Sequence, residues 1–152
     1  MQYRQVAHPA DSAEETTYVV VLDAGDEAVA ELSAFARERG LSSAQLTAVG
    51  AFSSAVLGWF DREAKDYRRI PVEQQCEVLS IIGDVALADG EPALHAHCVV
   101  GLSDGTTRGG HLLEGHVWPT LEVMVRESPA RLQKTMRPDV GLALIDLTRT
   151  EG

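Results

Sequence analysis

No apolar run in this 152-residue chain approaches the roughly 20 residues that a helix needs to cross a bilayer, so an integral helical membrane protein is not expected. Met1 to Ser12 carries one Arg and no apolar stretch; neither a secretory leader nor a transit peptide is expected there, and a cytoplasmic location follows as the default. Cysteine is limited to Cys76 and Cys98. In a reducing compartment such a pair stays free and buried rather than bridged. Positive charge is short as well: 13 Lys and Arg face 23 Asp and Glu, a net charge of −10 that repels a polyanion and disfavours unaided DNA binding. The one basic cluster, Arg62, Lys65, Arg68 and Arg69, is diluted by Asp61, Glu63 and Asp66 and reads as a solvated loop. Absent too are a Gly-x-Ser-x-Gly nucleophile elbow, a phosphate loop ending in Lys-Ser/Thr and a Gly-x-Gly-x-x-Gly dinucleotide fingerprint; Ser53-Ser54 reads as a turn.

What is present is the composition of one folded domain, with a core expected over about residues 17–147. Hydrophobic residues make up 45% and charged residues 24%. Thr17 to Leu22 is a β-branched run ended by the turn Asp23-Ala24-Gly25. Asp26 offers an N-cap to a helix whose apolar positions Val29, Leu32, Phe35 and Ala36 recur at helical spacing until Gly40. Ala44 to Val49 and Ala55 to Phe60 read as two short strands on either side of Gly50 to Ser54, whose small residues suggest close backbone approach. Cys76 to Val85 and Leu94 to Leu102 are strands joined by Asp89-Gly90-Glu91-Pro92. Ser103-Asp104-Gly105-Thr106 is a hairpin turn. Leu121 to Arg126 alternates with period two, Pro129 to Met136 reads as a helical turn, and Leu142 to Leu147 as a closing strand. Met1 to Asp11 and Thr148 to Gly152 are the candidate loose ends. The sum is an α+β fold, a mostly antiparallel sheet with a few flanking helices.

The order and spacing of certain residues resemble the PPC domain, the plants and prokaryotes conserved domain, across roughly Thr17 to Leu147. They are Gly50-Ala51, Glu77-Val78-Leu79-Ser80 with Gly83, Asp89-Gly90-Glu91-Pro92, His95-Ala96-His97, and Gly109-Gly110-His111-Leu112 with Glu122 beyond. The resemblance implies a trimer-forming α/β fold of the stand-alone prokaryotic type, in which the His-x-His and Gly-Gly-His residues, here His95, His97 and His111, lie together and hold a metal. In land plants the domain follows an Arg-Gly-Arg-Pro hook and mediates assembly with partners. This chain has no such hook, and it carries Gln74-Gln75-Cys76 where the plant partner-binding motif has Gly-Arg-Phe.

The residues themselves bear on that expectation. His95 and His97 stand two apart in a strand, so both imidazoles leave the same face and Cys98 points to the other. A two-residue loop at Asp104-Gly105 would set His111 across from Cys98, facing the wrong way; one extra residue sets it across from His97. Either a bulge at Gly109-Gly110 or a three-residue loop supplies that residue. Three neutral imidazoles suit Zn²⁺, with Ni²⁺, Co²⁺ or Fe²⁺ as alternatives, and leave a fourth position open for water or ligand. His116 is a weaker ligand candidate. Glu77, Glu114 and Glu122 are candidates to orient an imidazole or to act as a base, and His8 is expected to be inert. The favoured function is a metal-binding, homotrimeric module for a small molecule or protein partner, with a DNA-binding or DNA-associated transcriptional regulator as the alternative and a metal-dependent hydrolase as the second alternative.

Overall fold

The computed structural model describes residues 1–7 and 15–150. His8 lies outside the described residues. The chain runs β1 (Gln2–Ala7), β2 (Thr16–Asp23), α1 (Ala28–Arg39), β3 (Ser43–Asp61), β4 (Asp66–Val72), β5 (Cys76–Ala88), β6 (Glu91–Gly101), β7 (Thr107–Glu127), β8 (Gln133–Arg137) and β9 (Leu142–Ile145). The strands form one sheet ordered β1-β2-β7-β3-β5-β8-β9, with β4 on β3 and β6 between β5 and β7. All pairings are antiparallel except the short β5–β8 contact. The expected α+β class is therefore met, with one helix among the described residues rather than a few. That helix is neither long nor apolar enough to cross a membrane.

Alternation with period two sorts the side chains onto two faces. Val20, Leu22, Leu46, Ile81, Cys98, Val100, Val123 and Val125 point inward and are buried. Against that face, at β6 and β7, lies α1, which buries Leu32, Phe35 and Ala36. Burial of Leu32 and Phe35 is worth about 1.5–3 kcal/mol each and fixes the helix on the sheet. The outer face carries Thr47, Ile82, His97 and Met124 in one row, since Thr47 pairs with both Ile82 and Met124 and Ile82 pairs with His97.

Several expectations are corrected. The helix is capped by Glu27, not Asp26: Glu27 accepts from Val29 N and Ala30 N, while the Asp26 carboxylate is taken by the Asp23 amide and the Met1 ammonium. Glu27 also accepts from Gly115 N at 2.8 Å, which ties the helix start to β7. The two strands expected around residues 50–54 are one strand, β3, which bends through register shifts at residues 48–52 instead of stopping. Gly50 has φ 154, and a Cβ there would fall 2.3 Å from the Thr120 carbonyl oxygen, so the expected close approach is real although the turn is not. Residues 1–7 are no loose end but carry an edge strand on β2. The basic stretch is half strand, because β4 begins at Asp66. Residues 129–136 form no helical turn: β8 occupies Gln133–Arg137, its backbone satisfied by β9 and by Leu87 and Ala88 of β5.

Candidate metal centre

β6 carries His95 and His97 on the outer face, and β7 delivers His111 directly opposite His97. The register comes from the three-residue loop Ser103–Gly105. Leu102 N donates to the Thr106 carbonyl at 2.8 Å, Gly105 N to the Leu102 carbonyl at 2.9 Å, and Gly105 takes φ 80, which favours glycine. The Asp104 carboxylate locks the loop by accepting from the Thr106 amide and hydroxyl. Pairing from residues 97 to 101 is unbroken, so the alternative bulge at Gly109-Gly110 is not used. Gly110 serves a different purpose, since a Cβ there would fall 2.6 Å from the Gly58 carbonyl oxygen of β3.

The three rings sit together. His95 and His111 stack at 5.3 Å between centroids, while His97 stands edge-on to His95 at 5.1 Å and to His111 at 5.5 Å. One ring nitrogen from each lies within 4.8 Å of the others. His95 Nε2 and His97 Nε2 are 3.3 Å apart, which matches the roughly 3.3 Å between two nitrogens bound tetrahedrally at about 2.0–2.1 Å from zinc. The Nδ1 atom of His111 is buried and makes no hydrogen bond among the described residues, so the protein leaves part of this ring's bonding capacity unused. The donor set fits a divalent cation of the zinc type.

Sequence reasoning missed the groups behind the histidines. Asp84 pairs with His95 across β5 and β6, and its Oδ2 lies 3.0 Å from His95 Nδ1. Burial alone would raise the Asp84 carboxyl, but the His95 hydrogen bond and Lys134 together hold it below the usual range. The ionised carboxylate only accepts, so Nδ1 of His95 donates to it and Nε2 is the ring nitrogen turned toward His97. Lys134 of β8, with its side chain 7% exposed, places Nζ 2.8 Å from Asp84 Oδ1; this is an ion pair rather than an aligned hydrogen bond, and Nζ donates instead to the Ala93 carbonyl. On the far side the Tyr67 ring stacks on His111 at 4.6 Å. Burial pushes the His111 imidazole down to about 4, helped by His95, His97 and Lys134, and burial followed by His95 lowers His97. Both rings are therefore neutral at pH 7, the form a metal requires. A cleft of about 470 Å³ opens beside the cluster, lined by His95, His111, Tyr67, Lys134 and a run of aliphatic side chains.

The other candidates lie elsewhere. Glu77 faces solvent opposite Gly101, Glu122 faces solvent between Val21 and Val49, and Glu114 pairs with Arg69. His116 is exposed opposite Ser54. None of them joins the three-histidine group. Cys98 points to the core, as expected, and both thiols are free and buried.

A mostly antiparallel sheet with one helix on its inner face and three imidazoles on its outer face defines a small α+β domain with a candidate metal centre. The chain belongs to the Plants and Prokaryotes Conserved (PCC) domain family, whose model matches residues 10–129. It is similar to a plant- and prokaryote-conserved protein from Pyrococcus horikoshii, at 33% identity over 86% of this chain and 90% of that one, with a TM-score of 0.81. A metal-containing protein from Archaeoglobus fulgidus is 33% identical, with a TM-score of 0.78 over 86% of this chain and 92% of that one. A protein from Bacteroides thetaiotaomicron, described provisionally as DNA-binding, covers 97% of this chain and 98% of its own at 28% identity and a TM-score of 0.88. Among curated proteins, the bifunctional protein GlmU of a Synechococcus strain is 30% identical over 132 residues; these span 86% of this chain but only a fifth (20%) of that protein.

Proposed function

We propose that this chain is a metal-binding module that holds one divalent cation, zinc in the first place, at His95, His97 and His111, and takes a small molecule at the coordination position they leave open. The observation that carries the reading is the meeting of three imidazoles on one face, with His95 oriented by an ionised Asp84. The metal content of the Archaeoglobus relative supports it. Bound there, the ion would supply a Lewis acid and an exchangeable site. Among the described residues a hydrolytic role lacks a base: Glu77, Glu114 and Glu122 stand away from the histidines, and Asp84, the carboxylate bonded to His95, is already engaged by His95 and Lys134.

The module works as a homotrimer in this reading. Val49, Ile82, Val99 and Met124 are exposed apolar side chains on the same outer face as the histidines, a surface that a closed cyclic assembly covers. A DNA-associated role is the second reading, favoured by the description of the Bacteroides relative and opposed by the net charge of −10. Metal analysis of protein purified without chelator, together with light scattering, tests the proposal. One zinc per chain, lost in the His97→Ala variant, and a trimeric mass are expected. Full metal retention in that variant refutes the metal site, and a monomeric or dimeric mass refutes the assembly.

A further inference from the structure

The cleft beside the histidines has two unlike halves. Along one side polar groups follow each other in contact: Tyr67 stacks on His111, His111 on His95, His95 bonds Asp84, and Asp84 pairs with Lys134. The remaining lining is hydrocarbon, and its largest part is β9, all four residues of which, Leu142–Ile145, line the cleft. A concave, mostly apolar site of about 470 Å³ with a few convergent polar groups has the size and character of a small-molecule site.

The apolar wall is held in place from several directions. β8 pairs with Leu87 and Ala88 of β5, Leu87 N donates to the Leu132 carbonyl at 2.9 Å, and Lys65 Nζ donates to the Pro138 carbonyl at 2.7 Å. The residues matched to the family end at 129, before β8 begins, so the wall belongs to the part of the chain outside that match. Charge then selects the occupant. Imidazole donors bring no negative charge to a divalent ion, so three of them would leave both of its charges uncompensated, while Asp84 and Lys134 cancel each other. The chain's net charge of −10 is spread over its surface and screened beyond about 8–10 Å, so the local balance governs at contact.

We infer that the β8–β9 hairpin makes this site selective for a small monocarboxylate with an aliphatic or aromatic body, the carboxylate completing the coordination of the ion and the body lying along Leu142–Ile145. The inference rests on the metal reading above. Its test uses the full-length protein loaded with zinc, with zinc content measured first, and compares acetate with octanoate by calorimetry. Octanoate is expected to bind about tenfold more tightly or better, the gain from burying roughly two methylenes. Leu144, 41% exposed, can be exchanged without opening the core. Leu144→Ser is expected to weaken octanoate about fivefold while leaving zinc content and acetate binding as in the wild type, and Arg37→Ser, exposed on α1 at the opposite face of the sheet, is expected to change neither. Equal affinities for the two acids in zinc-loaded protein overturn the selectivity and leave the metal reading standing. Failure to take up zinc overturns both.

Discussion

Replacing Asp84 by Asn changes one atom and removes one charge at the point where the histidine cluster meets the rest of the protein. The amide can still accept from His95 Nδ1, now 3.0 Å from Oδ2, so ring orientation survives. The negative charge that makes His95 a better donor does not. Loss of such an outer partner costs about 10–100-fold in metal affinity, or roughly 1.4–2.7 kcal/mol. A second cost falls on Lys134, whose ammonium loses its counter-ion while its side chain stays 7% exposed. Breaking a fully buried pair costs about 3–5 kcal/mol; because Asp84 is 30% exposed, about 1–2 kcal/mol of folding stability is the reasonable figure. Competition for zinc against a chromophoric chelator at pH 7.5 reads the first effect, and urea unfolding of metal-free protein reads the second. Lys134→Met separates them: it lowers stability but leaves the Asp84 charge on His95, so zinc affinity stays at the wild-type level or rises. The reasoning is refuted if Asp84→Asn binds zinc within about twofold of wild type, or if Lys134→Met loses zinc as badly as Asp84→Asn does.

Other outcomes follow from buried and charged groups. His111 is held near 4 in the folded chain against roughly 6.5 when unfolded, so between these values the unfolded chain binds a proton that the folded one refuses, and stability falls as pH drops through that window. With the ring only partly buried, the loss is about 1–2 kcal/mol; urea unfolding of metal-free protein at pH 7 and pH 4.5 should show it, and His111→Gln should reduce it, equal pH slopes in both proteins contradicting the assignment. Burial pushes the Cys98 thiol up to about 12 and raises Cys76, so a disulfide reagent at pH 8 should label neither until urea unfolds the chain, whereas rapid labelling of the native protein would place a thiol at the surface. Purified protein should not retain duplex DNA at micromolar concentration in physiological salt, since its charge of −10 removes the counterion-release contribution; retention there would restore the regulatory reading.

How much of this was legible depends on whether turn chemistry or distant contact set the geometry. Asp104-Gly105 marks a hairpin, but counting outward from a two-residue loop there sets His111 opposite Cys98; the extra residue that brings it opposite His97 can come from a bulge or from a longer loop, and the structure supplies it as the loop Ser103–Gly105. The same counting from Asp89-Gly90 joins Ala88 to Glu91 and reaches Asp84 opposite His95, so the carboxylate behind the histidine was present in the sequence pattern though not drawn from it. The division of β3 into two strands failed because its small residues serve close packing rather than a turn. β4 was hidden by charge and by Pro71, features an edge strand tolerates. Lys134 gave no local signal: it meets Asp84 through a two-residue parallel contact between β5 and β8, and no periodicity announces a pairing of that kind.

The polar centre draws on neighbours in the chain. Asp84, His95, His97 and His111 belong to three consecutive antiparallel strands joined by tight turns, and eleven residues separate Asp84 from the histidine it orients. Contacts so close in sequence cost little loop entropy, whereas the long pairings of β7 with β2 and β3 must wait for distant partners. In a folding chain the three imidazoles can therefore come together as one meander before Lys134 and the β8–β9 hairpin dock beside them. A cation captured at that stage would act as a staple on the first-formed part of the sheet, ahead of the hairpin that walls the cleft.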